Sequence, residues 1–323
     1  MGIYLLTGAG FSRNWGGWLA GEAFEYLLGC SELLPHHRIL LWKHRGKGGF
    51  EAVLQELRDE YIKSPEHHAA KPLQEFDKLV MGMFYSMNNA FGDFEPIKNP
   101  GLGPQPTFMR DFLARFDAIF TLNQDTLLEQ KYINSGLLDG SRGKYFACVS
   151  PGLLEENIAG TPYAHPGIFR PADPPYAIQD RVQPYFKLHG SSNWRALNGL
   201  TLLIMAENKG SQIDGVALLD WYRSEFKKRL SQPDAKLMIV GYSFRDPHIN
   251  EVLAACVKTG LKLFIIDLAG IGVLDYAPKL SGIPLLDELR DAIEGGSRRP
   301  FPSSVSTDEI ERRKIQRFFP LFP

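Results

Sequence analysis

The stretch FDAIFTLNQD, Phe116–Asp125, decides the fold. Ala118, Ile119 and Phe120 read as a buried strand, and the run ends at once in the polar groups Thr121, Asn123, Gln124 and Asp125. Three other stretches repeat the arrangement: GIYLLTGAGFS at Gly2–Ser12, YFKLHGS at Tyr185–Ser191, and LMIVGYS at Leu237–Ser243. In open parallel sheets ligands bind just beyond the carboxyl ends of the strands. Small polar residues at four such ends therefore point to one shared pocket.

Working outward, five segments read as buried parallel strands: Ile3–Thr7, Ala118–Thr121, Tyr185–Leu188, Leu237–Gly241 and Lys262–Asp267, with Thr201–Ala206 as a possible sixth. Helical stretches alternate with them, which predicts an α/β fold, a Rossmann-like doubly wound parallel sheet. Asp246-Pro247 sets a cap residue before a first-turn proline, and Ile249, Val252, Leu253 and Val257 follow at helical spacing until Gly260. Val216–Leu230 carries one apolar stripe, and Leu285, Leu289 and Ile293 form another that stops at Gly295-Gly296. The segment of about 15–116 is rich in helix formers and reads as a helical module inserted between the first two sheet strands. Pro96, Pro100, Pro104 and Pro106 mark the loop that returns to the sheet, and the prolines of Tyr163–Pro184 mark an irregular loop over the pocket. The expected organisation is one domain over 1–297 and a helical, aromatic tail over 298–323. That tail either docks its Phe318-Phe319 end on the body or meets a partner.

The bulk composition excludes several classes. A chain of 323 residues, 44% hydrophobic and 23% charged, can bury a full core. With 36 basic against 37 acidic residues there is no overall bias toward nucleic acid or a membrane surface, and no apolar run is long enough to span a bilayer. With a strand expected to start at Gly2, no signal peptide is expected. Cys30, Cys148 and Cys256 are scattered, with no Cys-x-x-Cys pair, so a zinc knuckle or disulfide framework is unsupported and a reducing cytoplasm is the expected setting.

Each strand end offers a chemistry and a plainer alternative. Gly8-Ala9-Gly10 allows a tight turn whose amides and helix dipole suit a pyrophosphate, but Arg13 stands where a third fingerprint glycine would fall. Asn123 can orient a ribose or a water and Asp125 can accept from a carboxamide; equally, Asp125 caps a helix over Thr126–Tyr132. His189, beside Gly190 and Ser191, can take a proton from a hydroxyl near neutral pH. Gly241 and Ser243 let a phosphate or ribose approach the backbone, and Asp267 can accept a ribose hydroxyl or cap a turn. His36, His37, His67 and His68 lack ligand spacing and read as solvated.

Taken in order, TGAGFS, TLNQD, KLHGS, VGYSFRDPHI and IID resemble the sirtuin family, and more closely its bacterial sirtuin-like branch of antiphage-defence NAD hydrolases. The resemblance spans Gly2 to Asp267. It implies that Gly8, Ala9, Gly10 and Ser12 form the phosphate-binding turn and that Asn123 and His189 are the catalytic residues. Asp125 would meet the nicotinamide carboxamide, Gly241 and Ser243 would form the second cofactor loop, and Asp267 would take the adenosine-ribose position. The chain departs from protein-deacylating sirtuins in having no cysteine between His189 and Gly241, so no zinc site and no metal is expected. Arg13-Asn14-Trp15-Gly16-Gly17 replaces the usual Pro-Asp-Phe-Arg run, and Leu122 stands where a glutamine is common.

The resemblance thus implies an NAD hydrolase releasing nicotinamide and ADP-ribose. A homo-oligomer or a separately encoded partner protein would gate it, through the insert or the tail. The alternatives are a zinc-free deacylase or ADP-ribosyltransferase, a non-catalytic NAD or ADP-ribose-binding subunit, and a structural subunit.

Overall fold

The computed structural model describes residues 2–63, 67–93, 107–133, 145–156, 167–196, 201–205 and 209–319. The strands are β1 (Ile3–Thr7), β2 (Ala118–Thr121), β3 (Ala147–Val149), β4 (Leu153–Glu156), β5 (Ile168–Pro171), β6 (Val182–Lys187), β7 (Gly190–Arg195), β8 (Thr201–Leu203), β9 (Lys236–Val240), β10 (Lys262–Ile266) and β11 (Ile293–Ser297). Among the helices, α1 (Ala9–Arg13), α2 (Ala20–Gly29), α3 (Pro35–Lys43), α4 (Gly49–Lys63), α5 (His67–Asp93) and α6 (Thr107–Leu113) lie between β1 and β2. The remainder are α7 (Lys209–Asp214), α8 (Ala217–Leu230), α9 (Pro247–Val257), α10 (Leu285–Leu289), α11 (Phe301–Val305) and α12 (Glu309–Gln316).

Seven strands form the main sheet in the order β11-β10-β9-β1-β2-β6-β3, and every pair is parallel. β1 is central because the chain builds outward to β2, β6 and β3 on one side, then returns to lay β9, β10 and β11 on the other. The reversal falls between β1 and β9, and such switch points open a crevice at the carboxyl ends. The register aligns those ends: Thr7 pairs with both Thr121 and Val240, and Thr121 pairs with Lys187.

Burial on both faces follows the period of two. On β1, Leu5 joins a core with Ile119, Tyr185 and the insert's Leu27, Leu54 and Phe76. Tyr4 and Leu6 point the other way, into a core with Phe186, Tyr222, Phe226 and Leu253. The observed fold is thus the doubly wound α/β sheet that the strand pattern predicts.

Three expectations change. Thr201–Leu203 pairs antiparallel with β7 in a separate four-stranded sheet, β4-β5-β7-β8, and adds no strand to the main one. Gly295-Gly296 terminates no helix; both sit inside β11, because a Cβ on Gly295 would stand 2.7 Å from the Phe264 ring and one on Gly296 3.0 Å from the Ile265 carbonyl oxygen. The proline-rich stretch before Pro184 contains β5 and the start of β6, since its β-branched and aromatic residues find strand partners. Tyr163–Pro166 and the proline cluster Pro96–Pro106 lie outside the described residues. Of the two readings of the tail, docking holds: Phe318 and Phe319 are buried against Phe264, Phe112 and Phe116, with the Arg115 guanidinium 3.6 Å from the Phe319 ring centre. Those two rings are consumed inside the molecule and offer no surface to a partner.

Candidate functional site

Ser12, Asn123 and Asp125 meet at the carboxyl ends of β1 and β2. The Thr7 hydroxyl donates to Thr121 Oγ1 at 2.8 Å, and Thr121 Oγ1 accepts from the Asn123 backbone N–H at 3.0 Å, so the strand tips are bolted together. Asn123 Nδ2 then donates to Ser12 Oγ at 2.9 Å, and Ser12 Oγ donates to Asp125 Oδ2 at 2.8 Å. Asp125 Oδ1 accepts from the Leu127 N–H at 3.0 Å, so the carboxylate both caps the following helical turns and holds Ser12. With its amide nitrogen fixed, Asn123 keeps one buried atom, Oδ1, without a partner among the described residues. A buried acceptor left empty costs about 1–3 kcal/mol, which a ligand hydroxyl or water recovers.

A second layer holds this loop from below. The fully buried Lys187 at the end of β6 donates to the Asp125 backbone oxygen and, at 2.6 Å, to Glu129 Oε1. Glu129 also accepts from the Tyr185 hydroxyl at 3.3 Å. Burial pushes the Glu129 carboxyl above its ordinary range, and Lys187 opposes that shift. From the insert, Asn88 on α5 accepts from the Thr126 N–H at 3.0 Å and donates to Ser192 Oγ at 3.1 Å.

The glycines of the β1 and β9 ends serve each other. Gly8 N–H donates to the Val240 oxygen at 3.0 Å and Gly10 N–H to the Gly241 oxygen at 2.9 Å. A Cβ on Gly8 would stand 2.6 Å from the Gly241 oxygen, and one on Gly10 2.8 Å from Gly241 Cα. These two amides are therefore committed to the neighbouring turn, and the glycines are required first for backbone-to-backbone contact. Ala9 lies exposed between them and Ser243 is exposed on the facing loop, so both edge the crevice and neither joins the side-chain network. Asp267, at the end of β10, accepts from the Ala269 N–H at 2.8 Å in a local turn; burial pushes its carboxyl up, against that bond.

His189 is placed by the turn between β6 and β7. Gly190 takes φ +72° there, with the space of a Cβ filled by the Leu202 carbonyl oxygen at 2.1 Å. Gly190 thus permits the sharp reversal that leaves His189 at the sheet's carboxyl edge. His189 Nε2 lies 3.0 Å from Nε2 of His248, the second residue of α9. Asp246 brings a carboxylate oxygen within 4.8 Å of both imidazoles. Its Oδ1 accepts from Lys209 Nζ at 2.7 Å, and Lys209 lies 3.5 Å from Glu51 of the insert. Burial, with Lys209 nearby, holds His189 well below the usual histidine range. Burial also lowers His248 to about 4, although Asp246 opposes it. Both rings are neutral at pH 7.

Sequence reasoning missed His248, Lys209 and Glu51. Asp246 reads as a helix cap, yet its carboxylate turns to Lys209 and makes no cap hydrogen bond. Of the histidines expected to be solvated, His37 is fully buried and hydrogen-bonded to the Pro72 oxygen at 2.9 Å, because it faces the core of the insert beside Phe76. The side chains of His67 and His68 are outside the described residues. Two clusters gather three donor groups, His189–Asp246–His248 and His36–His37–Glu75. In the first, Lys209 already neutralises the carboxylate, which suits proton handling better than a cation; in the second, His37 Nε2 is engaged by Pro72.

Residues 117–262 match the family model of the SIR2-like domain. That part of the chain is similar to the SIR2-like domain. The matched span holds Asn123, Asp125, His189, Gly241 and Ser243; the Gly8–Ser12 turn precedes it and Asp267 follows it. Among solved structures, one similar chain is Sir2Tm bound to a propionylated peptide, at 13% identity and a TM-score of 0.40 over 98% of this chain and 92% of that one. Another is a Sir2 homologue in complex with ADP-ribose, at 11% identity and a TM-score of 0.42 over 99% and 94% of the two chains. None of the curated proteins matches the chain by sequence. No described helix is long and apolar enough to cross a membrane.

Proposed function

We propose that this sirtuin-like chain cleaves the nicotinamide–ribose bond of NAD with water, giving nicotinamide and ADP-ribose. The observation that carries the reading is the unpartnered Asn123 Oδ1, held by Ser12 in the same crevice as a neutral, buried His189. An acceptor with no protein partner and an uncharged imidazole are what orienting and deprotonating a hydroxyl or a water requires. Breaking the glycosidic bond leaves a ribose with oxocarbenium character, and water then completes the reaction. Asp125 uses one lone pair of each oxygen on Ser12 and Leu127, so both oxygens retain acceptor capacity for the carboxamide. From β10 to β6 is four strand spacings, about 19 Å, so Asp267 at one end and His189 at the other frame a ligand of two nucleotides rather than one sugar. In this assignment Gly8, Ala9, Gly10, Ser12, Gly241 and Ser243 line the phosphates, and none of the steps calls for zinc.

An enzyme that consumes NAD needs restraint, and we assign it to assembly with a second copy or a separate protein. The insert is the element suited to transmit it. Trp42 and Ile39 on α3 and Tyr85 on α5 are exposed, while Asn88 on the same α5 holds the loop of Asn123. The resemblance extends the role to an effector of bacterial antiphage defence.

Product analysis with NAD, alone and with the native partner, tests the reading in wild type, Asn123→Ala and His189→Ala. Nicotinamide and ADP-ribose from wild type and a loss of about 100-fold or more in each variant are expected. Full turnover by Asn123→Ala removes the central assignment. Nucleotide binding without product, partner included, replaces the enzyme with a binding subunit.

A further inference from the structure

We propose that His248 is the proton acceptor of His189, so that the two imidazoles work as a relay ending at His248, with the Asp246 carboxylate beside it. The proposal rests on the reading of His189 as the base and adds a positioning residue that the strand-end motifs do not contain. Their Nε2 atoms stand 3.0 Å apart, and among the described residues His248 is the only hydrogen-bond partner of the His189 ring. Between two neutral rings one Nε2 must carry the proton and the other must accept. If His189 carries it, His189 Nδ1 is free to take the proton of a ribose hydroxyl or water while its Nε2 proton passes to His248 Nε2. No proton is created or lost: the substrate oxygen gives one, His189 ends neutral, and His248 becomes an imidazolium.

Burial disfavours the charge on either ring, but the surroundings favour it on His248 over His189. Asp246 flanks it from the α9 cap, Glu51 faces the cluster from α4, Lys209 lies between them from α7, and Arg223 of α8 is the other cation felt by His248. Arg223 is itself paired with Asp214 and Asp220. Two carboxylates against Lys209 leave one negative charge unmatched, and an imidazolium at His248 completes the set. Without His248 the proton would remain on His189, which is only 2% exposed and has Lys209 as a repelling neighbour.

Two measurements test the relay separately from NAD chemistry. Long-range proton–nitrogen spectra of the full chain should show His189 protonated at Nε2 and His248 protonated at Nδ1, with the His189 Nε2 signal shifted in His248→Ala. The opposite tautomers, or a His189 signal unmoved in the variant, overturn the relay whether or not NAD is consumed. In NAD turnover, His248→Ala and His248→Gln should both lower kcat about 100-fold with KM changed far less, and added imidazole should restore the alanine variant. Wild-type kcat in His248→Gln would mean that a hydrogen bond suffices and would refute the relay. If wild type consumes no NAD, the proposed reaction falls and the spectra alone decide whether the imidazole pair exists.

Discussion

On the β1–β9 side of the crevice, backbone packs directly on backbone; on the β2–β6 side, buried side chains hold a loop away from the sheet. Gly8, Gly10 and Gly241 leave no space for even a methyl group, and their amides and carbonyls pair across the switch point. Across the crevice, Lys187, Glu129, Ser12 and Asn88 act through charge and hydrogen bonds to set Asn123 and Asp125. Close backbone packing has one arrangement and resists change. A buried polar network is as strong as its least satisfied member, and it leaves atoms such as Asn123 Oδ1 available to a ligand. The two sides should therefore fail differently when single residues are changed.

The largest effect is expected from Lys187→Met. The variant removes the only cation on Glu129 among the described residues and leaves a carboxylate buried beneath Asp125, which costs about 3–5 kcal/mol. Burial raises the folded-state pKa of this carboxyl, so its protonated form is favoured in the fold; that stability is present at low pH and lost as pH rises through the raised value. The deficit of the variant in urea unfolding should accordingly shrink as pH falls. Adding Glu129→Gln should recover most of it at neutral pH. A single variant within about 1 kcal/mol of wild type would mean the pair carries no such burden, and the contrast between the two sides would collapse.

Gly241→Ala comes next, and Gly16→Ala is its internal control. Both residues have left-handed backbones, φ +62° and φ +82°. Only Gly241 is also hemmed in, with Phe11 N 2.2 Å from where a Cβ would lie; Gly16 has nothing within 4 Å. Conformation alone should cost Gly16→Ala about 1–2 kcal/mol, and the added clash should take Gly241→Ala to about 3 kcal/mol or more. Equal losses in denaturant titrations would show that close approach between the turns is not what the glycine secures.

The same contrast explains what could be read in the sequence. Five main-sheet strands were legible because each is a short apolar run ending in small polar residues, and Asn123, Asp125 and Ser12 converge because their strands are neighbours. The edge strand β11 was not, since Gly295 and Gly296 fit against Phe264 and Ile265, a reason that exists only once β10 lies beside them. Asp246 shows the other limit. A cap is a local prediction, and Lys209, far along the chain, outcompetes it with a full charge. His248 escaped notice because its partner His189 comes from another strand end. Lys187 carried a usable signal: a lysine in a strand whose neighbours Phe186 and Leu188 are apolar needs a buried anion.

The smallest effect, and the sharpest test of the polar side, is Ser12→Ala. Ser12 Oγ accepts from Asn123 Nδ2 and donates to Asp125 Oδ2, so its loss leaves the amide N–H without its acceptor and frees one carboxylate oxygen. Asp125 keeps the Leu127 N–H and the loop keeps Lys187, so unfolding free energy should fall by only about 1–2 kcal/mol. The amide, however, no longer has a fixed orientation, and Asn123 Oδ1 loses its defined place. NAD turnover should then drop about tenfold, mostly in kcat, because in the proposed reaction the misplaced group acts on the reacting ribose rather than on overall affinity. Unchanged kcat with the expected loss of stability would show that Asn123 is set by the Thr121 contact to its backbone alone, and the hydroxyl would revert to a packing role.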